Sequence, residues 1–514
     1  MTKPQLFASY SRSGFWSRHS KLLLILLIAS SAIYGFLFAL GTTYVLMQLL
    51  IPLVAVAAIT IAMLPESGRT HLKLQEGLVF AFVVLLLCWP DYIAIALPGM
   101  PWITVVRLTT VPLALVFLLN ISQSADFRSQ LKAVIGVAPS VTICLLLVTL
   151  LAAVSIAFSV QTSYSMNKWI VLLLSGTLIF FVSAFVFSRP GRAIKLAWTL
   201  WGVTLLICLI ALRERQHEVI PWAGHIPSFL KIDPLTSQQI FASKARAATG
   251  VYRVQSKFTT PLSLAEFLAM SWPFLLHFAI TGTRWTVRTA AVATLALMTF
   301  VIVLTDARLG FVGLFVTLLL YLLAWGTLRW KRDRKSVFGP AIVLGYPVLA
   351  LCFVAGTFMI GRLRALVWGT GAQQASTDGR ADQLASGIPM VLSHPWGYGI
   401  GRAAETLGYR DDDLVTIDSY YLSIALELGI VGFILYYATF LLGIWQGAKA
   451  SLVQDDENGA WIVPIAIALV NFVVIKSVLS QQENHPFAFL LLGAAVGMTY
   501  QIKRGSTAEA NLTG

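Results

Sequence analysis

Three arginines stand where apolar sequence meets polar sequence. Arg308 lies in VLTDARLGFVGLF between two apolar runs, Arg380 opens the segment RADQLASGIPMVLS, and Arg253 lies in GVYRVQSKF shortly before a further apolar run. Guanidinium groups stay charged and present fixed pairs of N–H donors that match phosphate oxygens. Converging at a membrane surface, they would suit a lipid-linked pyrophosphate. Long side chains near span ends also snorkel to the interface without any function, so both interpretations stay open for Arg308.

Carboxylates and a lysine add candidates for proton transfer and charge pairing. Asp418, in TIDSYYLSIALELG, precedes an apolar run. A carboxylate beside hydrocarbon can act as a general base, or it can cap the helix that follows. Glu427 lies inside the same run and Lys476 inside a later one. Intramembrane charges are usually paired or functional, and either Lys476 or Arg107 could neutralise Glu427.

The segment SHPWGYGIG shapes a turn rather than supplying a reactive group. It contains His394 and Pro395, followed by glycines at alternate positions: Gly397, Gly399 and Gly401. Glycine permits tight turns and close approach of one backbone to another. The spacing is like that of a nucleotide loop, but no strand precedes it. The acidic run at 411–413 is typical of a solvated turn, since consecutive carboxylates rarely converge on one ion. We therefore expect no metal and no cofactor.

The elements that hold these residues are membrane spans. The chain has 514 residues, of which 57% are hydrophobic and 12% charged, whereas soluble domains carry roughly 25% charged residues. Apolar runs of the roughly 20 residues that a bilayer requires recur throughout. The sequence predicts an all-α polytopic membrane protein with fourteen spans: 22–40, 43–64, 78–97, 103–120, 134–160, 168–188, 194–212, 262–281, 287–304, 309–328, 338–360, 421–446, 460–479 and 486–501.

The distribution of basic residues predicts the orientation. With both termini in the cytoplasm, 21 of the 37 lysines and arginines fall in cytoplasmic tails and short loops, as the positive-inside rule expects. The net charge of +14 then mostly reflects the basic residues that set the orientation in the membrane. No soluble basic face indicates nucleic-acid binding. The expected organisation is a cytoplasmic tail (1–21), helices 1–7 (22–212), a periplasmic loop (213–261), helices 8–11 (262–360), a large periplasmic catalytic loop (361–420), helices 12–14 (421–501) and a cytoplasmic tail (502–514).

A short amphipathic helix is predicted in the second long loop. Leu384, Ile388, Val391 and Leu392 recur on one helical face. Pro389 would confine this helix to two turns or kink it. Helices of this kind seat a loop on a membrane or cover a cavity.

These motifs, in their order and on their side of the membrane, resemble the O-antigen ligase and O-antigen/exopolysaccharide polymerase family. An arginine precedes a helix, a His-Pro-x-x-G-x-G turn follows, and a short polar element leads into an Ala-Glu-Leu-Gly-x-x-Gly helix. The matching residues are Pro395, Gly397, Gly399, Gly401, Tyr421, Leu422, Glu427, Leu428, Gly429 and Gly432. Arg308 matches an arginine of the family, and Arg253 with Pro261 is a weaker match. Ligases carry His-Asn where this chain has Asp418-Ser419, which favours a polymerase.

The resemblance implies a fold similar to the C-type membrane glycosyltransferases, in a bacterial inner membrane with a periplasmic active site. The implied substrates are an undecaprenyl-pyrophosphate-linked glycan and an acceptor glycan, among membrane lipids and with a chain-length regulator as a further partner. Arg308, Arg380 and Arg253 would hold the pyrophosphate and Asp418 would act on the acceptor hydroxyl, giving metal-independent transfer with inversion.

Two alternatives remain at this point. A ligase would use the same chemistry with lipid A-core as acceptor. A flippase for lipid-linked oligosaccharides would use intramembrane charges such as Lys476 and Glu427 to line a path. Transporters usually show related halves with broken helices, and the two halves of this sequence are unrelated.

Overall fold

The computed structural model describes residues 64–95, 103–232, 250–333, 337–361, 374–411, 414–453 and 459–513, together with scattered single positions. The first two expected spans, 22–40 and 43–64, lie almost wholly outside the described residues.

Helices dominate the described chain. They are α1 (Leu72–Cys88), α2 (Val105–Gln123), α3 (Ala125–Ile135), α4 (Pro139–Ser155), α5 (Thr162–Phe187), α6 (Arg192–His217), α7 (Pro261–Thr281), α8 (Trp285–Thr305), α9 (Arg308–Arg332), α10 (Phe338–Met359), α11 (Gln374–Ser393), α12 (Ala403–Leu407), α13 (Tyr420–Ser451), α14 (Ile462–Lys476) and α15 (His485–Thr513). Two antiparallel strand pairs join β1 (Ala94–Ile95) to β2 (Ile103–Thr104) and β3 (Arg410–Asp411) to β4 (Leu414–Val415).

The helices confirm an all-α polytopic membrane protein. Eleven of the described helices are long and apolar enough to cross a bilayer. With α1, which has 17 residues, they coincide one for one with the expected spans from residue 78 onward. The bounds of the first of these were wrong: α1 begins earlier and ends at Cys88. It stops there because Pro90 lacks an N–H and residues 94–95 pair with β2 instead.

The centre of the bundle is formed by α7, α14 and α15. These spans are 78%, 78% and 83% buried, whereas α10 is 6% buried and lies at the periphery. Most side chains on the central helices are therefore enclosed by protein rather than by lipid.

The connections between helices alternate between two ends of the bundle. Among the described residues, the loop end carries 89–95, 103–104, 156–161, 218–232, 250–260, 306–307, 360–361, 374–411, 414–419 and 477–484. The far end carries most of the short basic connections, where Glu76 of α1 pairs with Arg192 (3.0 Å) and Lys195 (3.3 Å) of α6. All the arginines and carboxylates with predicted chemistry belong to the loop end or to helix turns next to it.

Helix α13 is interrupted at Gly429, and the turn after α11 fills the interruption. Gly429 has φ 70° and ψ −173°, a conformation that only glycine adopts readily. The freed backbone groups pair with the turn: Tyr398 N–H donates to Leu426 O (2.8 Å), and Ile430 N–H donates to Pro395 O (3.0 Å). A side chain at Gly397 would come within 2.5 Å of Glu427 O. The alternate glycines therefore serve close backbone packing.

Helix α11 is longer than the sequence predicted. It spans 20 residues and runs through Pro389, so the expected limit of two turns was wrong. Pro389 and Ala385 are both exposed, so the carbonyl that loses its N–H partner lies at the surface. Val391 is buried, whereas Leu384, Ile388 and Leu392 are 43%, 52% and 66% exposed. The outward apolar stripe of α11 is thus narrower than predicted.

Candidate active site at the loop end

Arg308 is the first residue of α9, directly after a two-residue turn from α8. Asp306 allows this turn because it adopts a left-handed backbone conformation, with φ 48°. The Arg308 side chain is half-buried and reaches α11, where its Nη2 lies 3.4 Å from Thr377 Oγ1 in a long hydrogen bond. The tight turn therefore fixes Arg308 at the loop end and points it toward the loop helix.

Arg380 and Asp418 form an ion pair across the loop. Arg380 Nε lies 3.2 Å from Asp418 Oδ2, and the two side chains are 23% and 35% exposed. The contact is ionic without hydrogen-bond alignment, since Nε is buried and donates no hydrogen bond among the described residues. The N-cap of α13 is Ser419, whose hydroxyl accepts from Leu422 N–H (3.5 Å). Asp418 therefore faces Arg380 while its neighbour caps the helix.

One face of α11 brings these residues together. Thr377, Arg380 and Gln383 follow one another at a spacing of three, which places them on the same side of a helix. Thr377 meets Arg308, Arg380 meets the Asp418 carboxylate, and Gln383 Oε1 accepts from Asp418 N–H (2.8 Å). The structure thus brings Arg308, Arg380 and Asp418 together along one face of α11. We call the partly exposed surface between these three side chains the cleft.

Arg253 lies beside the same cleft. Its Nε donates to Thr305 O (2.9 Å), the last residue of α8. The segment that carries it is held by buried Glu214 of α6, which accepts from Tyr252 Oη (2.9 Å) and Ser256 N–H (2.5 Å). Glu214 therefore acts as the anchor that orders residues 252–256 next to the turn between α8 and α9.

A polar loop at 477–484 packs against the segment that carries Asp418. Ser480 Oγ donates to Ile417 O (2.5 Å), next to Asp418. Lys476 forms a fully buried ion pair with Glu266 of α7 (2.8 Å) and donates to Gln481 O (2.5 Å). The suggestion that Lys476 neutralises Glu427 was therefore wrong: the lysine holds this loop against the centre of the bundle.

Glu427 fastens the glycine turn to α13. It is buried, its carboxylate accepts from Ser423 Oγ (3.2 Å), and its backbone oxygen accepts from Gly399 N–H of the glycine turn (3.1 Å). Arg107 instead donates to Asn167 Oδ1 (2.7 Å). Ser423 and the glycine turn, rather than the two cations suggested by the sequence, are the main partners of Glu427, because α13 and the turn lie in direct contact.

His394 stays within its own turn. The ring Nδ1 lies 2.7 Å from Tyr398 Oη and 3.1 Å from Ser393 Oγ, and His394 O accepts from Gly397 N–H (3.0 Å). The histidine thus supports the turn that fills the interruption of α13.

Lys257 and Glu483 are titratable groups that the sequence did not single out. Burial lowers the pKa of the Lys257 ammonium and raises the pKa of the Glu483 carboxyl, although each is partly offset by the opposite charge of the other. Lys257 Nζ donates to Leu86 O (2.9 Å), and Glu483 accepts from Thr259 N–H (2.9 Å). The sequence SQQENHP, a run of polar residues between two spans, was the available signal for Glu483.

Taken together, the fold and the site define a multi-pass membrane protein with two arginines and a carboxylate in one loop-covered cleft. Residues 293–437 match the family model described as O-Antigen ligase. An O-antigen polymerase of Salmonella muenchen is 33% identical over 90 residues, which are 16% of this chain and 22% of that protein. The chain thus spans about 22% of the length of the curated relative that it matches.

Over residues 293–437 the chain is thus similar to the O-antigen ligase/polymerase family, which confirms the resemblance inferred from its motifs. The matched segment includes Arg308, Arg380 and Asp418, and it also contains Gly429 and the turn that fills the break in α13. Arg253 and Lys476 lie outside it.

Proposed function

We propose that the protein is a membrane glycosyltransferase that polymerises oligosaccharide repeat units linked to undecaprenyl pyrophosphate. The observation that carries the proposal is the convergence of Arg308, Arg380 and Asp418 along one face of α11. Two guanidinium groups can bind the oxygens of a diphosphate, and a carboxylate beside them can accept a proton. Lipid-linked substrates of this kind reach such a cleft from the bilayer.

In the proposed mechanism, the diphosphate of the donor binds Arg308 and Arg380, with Arg253 at the edge of the cleft. The acceptor hydroxyl oxygen attacks the anomeric carbon, and the bond from that carbon to the phosphate oxygen breaks. The electron pair of that bond leaves on the diphosphate, where the fixed arginine donors stabilise the developing charge. Attack opposite the leaving group inverts the anomeric centre.

Asp418 takes the proton that the acceptor hydroxyl loses. In the structure its carboxylate contacts Arg380. A bound diphosphate competes for the same guanidinium, so donor binding frees the Asp418 carboxylate to accept the proton. Proton transfer is thereby coupled to the presence of the donor, which disfavours reaction of an acceptor alone.

Polymerase activity is preferred over ligase activity on two grounds. Asp418 and Ser419 stand where the ligases of the family carry histidine and asparagine, and the matched Salmonella muenchen protein is described as an O-antigen polymerase. A ligase transferring the glycan to lipid A-core is the second candidate. We place the cleft on the periplasmic side of the inner membrane, because the far end carries most of the short basic connections.

Reconstitution of the purified protein in liposomes with lipid-linked repeat units tests the proposal. Wild-type protein should lengthen the glycan, whereas Arg308→Ala and Arg380→Ala should each reduce the rate by about 10²–10³-fold, as loss of one stabilising donor does elsewhere. Asp418→Asn should reduce transfer while leaving donor binding intact. A flippase would instead move the substrate across the bilayer without lengthening it.

Arg402→Ala is the matched control. Arg402 lies in the same long loop, contacts Glu405 (3.6 Å) and Gln161 (2.9 Å), and has no part in the proposed chemistry. Its variant should retain near wild-type rates. Products of normal length from Arg308→Ala and Arg380→Ala would remove both residues from the mechanism.

A further inference from the structure

A cavity opens at the loop end beside the segment that carries Asp418. It has a volume of about 330 Å³ and lies between α2, α5, α13 and α15. Among the described residues that line it, Arg253, Arg308, Arg380 and Asp418 do not appear. Its wall includes Tyr420, two residues after Asp418, and residues 482–483 of the loop that contacts Ile417. The cavity therefore adjoins the reacting groups without containing them.

The lining combines opposite charges with amides. Arg107 and Lys168 stand among Asp91, Glu427 and Glu483. An anionic ligand such as a second diphosphate would meet three carboxylates there, and a hydrocarbon chain would bury charged groups without partners. Asn167 and Gln482 also line the cavity, and they add groups that both donate and accept hydrogen bonds. This mixture suits a neutral ligand rich in hydroxyl groups.

Aromatic rings form much of the inner wall. The rings of Tyr420 and His485 meet edge to face with centroids 4.5 Å apart, and Tyr436 and Phe489 lie beside them. Flat apolar surfaces next to polar groups match a sugar ring, whose C–H faces are apolar and whose edge carries hydroxyls. The π-helical turn Leu173–Thr177 contributes Ser175 and Gly176 to the lining, and such turns often occur at functional sites.

Three buried polar atoms of the lining have no partner within the described part of the chain, and Tyr436 Oη is one of them. His485 is 8% exposed and its Nε2 makes no hydrogen bond. Glu483 Oε2 makes none either, although Oε1 accepts from Thr259 N–H. These atoms have almost no accessible surface of their own, so a ligand hydroxyl pairs with them only when their side chains turn toward the cavity. Buried polar atoms are costly to leave unpaired, which favours that pairing.

We infer that this cavity is the subsite for the terminal saccharide ring of the acceptor. This inference rests on the proposed glycosyl transfer, and it assigns the acceptor class to one place beside Asp418. In this arrangement Gln482, Glu483 and His485 hold the ring by its hydroxyls, and Tyr420 forms the part of the wall that is next to Asp418 in the chain. A hydroxyl at the near edge of the ring then points toward the Asp418 side of the wall.

The test uses the full-length purified protein with two probes. One is the lipid-linked repeat unit as donor, and the other is the same repeat released from its lipid as a soluble, isotopically labelled acceptor. Equilibrium dialysis measures acceptor binding, and release of undecaprenyl pyrophosphate measures donor cleavage with water or acceptor. Gln482→Ala and His485→Ala should weaken acceptor binding by about tenfold each, as loss of roughly one hydrogen bond does, and should retain cleavage of the donor by water.

Gln481→Ala supplies the matched control. Gln481 is the same residue type one position earlier and does not appear among the described residues lining the cavity, so its variant should bind the acceptor as wild-type protein does. Because Gln482 lies in a loop, its variant remains informative even where His485→Ala fails to fold. Wild-type acceptor binding and transfer in Gln482→Ala would overturn the subsite. Absence of donor cleavage in wild-type protein would instead overturn the proposed function, independently of acceptor binding.

Discussion

Two ion pairs at the loop end use the same chemistry in opposite surroundings. Lys476 and Glu266 are both 0% exposed and 2.8 Å apart, between the central helices α14 and α7. Arg380 and Asp418 are 3.2 Å apart but 23% and 35% exposed, between a loop helix and the start of α13. The first pair is enclosed on all sides, and the second faces the cleft.

The difference in exposure implies different roles for the two ion pairs. A buried charge that loses its partner is left without solvent, so Lys476 and Glu266 must remain together. A partly exposed pair contributes little to stability because water competes with it, so its partners can be exchanged for a substrate. Stability should therefore depend on the buried pair and catalysis on the exposed one.

The largest expected effect on stability comes from Lys476→Ala. This change leaves the Glu266 carboxylate buried, and among the described residues only Asn484 Nδ2 then donates to it, at 2.9 Å. Breaking one partner of a buried pair costs about 3–5 kcal/mol. Equilibrium unfolding in mixed micelles should report a loss of that size, together with poor recovery from membranes.

A double variant sharpens this prediction. In Lys476→Met with Glu266→Gln, neither charge remains and the glutamine still offers an acceptor to Asn484. Replacing a whole buried pair is often neutral or stabilising, so most of the lost stability should return. If the double variant is as unstable as Lys476→Ala, packing rather than charge is the reason for the loss.

Gly429→Ala should have the next largest effect on stability, lowering the free energy of unfolding by about 3 kcal/mol. This is the upper end of the cost of a backbone conformation that only glycine tolerates. An added Cβ would also come within 2.0 Å of Pro395 O and push the turn out of the break in α13. Thermal unfolding of the purified protein measures the effect.

Gly345→Ala is the control for that change. Gly345 lies in the peripheral helix α10, and no atom stands within 4 Å of its added Cβ. Alanine favours helix over glycine, so this variant should be at least as stable as wild type. Equal losses at both positions would show that the break at Gly429 carries no special constraint.

Glu214→Gln should cost about 2 kcal/mol, within the range for hydrogen bonds to charged groups. The amide cannot accept all the bonds that Tyr252 Oη, Gln255 N–H and Ser256 N–H donate to the carboxylate. The nearby Glu218 is exposed and pairs with Arg215 at 2.6 Å. Glu218→Gln should therefore cost only a few tenths of the stability loss expected for Glu214→Gln. Unfolding midpoints of the two variants give the comparison, and equal midpoints would argue against the anchoring role of Glu214.

The order and type of the helices followed from apolar runs, because a bilayer imposes a minimum length on each span. Local chain features also predicted the glycine-rich turn. The sequence could not show which residues far apart in the chain pair with each other, such as Lys476 with Glu266, 210 positions apart. A charge in a span shows that it needs a partner, but only packing decides which one. The same limit hid Gln383 and Glu483, whose neighbours come from other helices.

The smallest effect on stability should come from Arg380→Ala. The pair with Asp418 is partly exposed and lacks hydrogen-bond alignment, so its removal should cost less than about 1 kcal/mol. The same variant is predicted to lose glycan extension almost completely. Among these variants it should therefore combine the smallest loss of stability with a very large loss of activity.

The single variant Asp418→Ala and the double variant Asp418→Ala with Arg380→Ala test whether the donor diphosphate takes the place of Asp418 at Arg380. If donor diphosphate replaces Asp418 at Arg380, then Asp418→Ala should bind donor at least as tightly as wild type, since a competitor has been removed. The double variant should bind donor weakly, like Arg380→Ala alone. A loss of stability near that of Lys476→Ala, or weaker donor binding in Asp418→Ala, would make this pair structural and erase the contrast with the buried one.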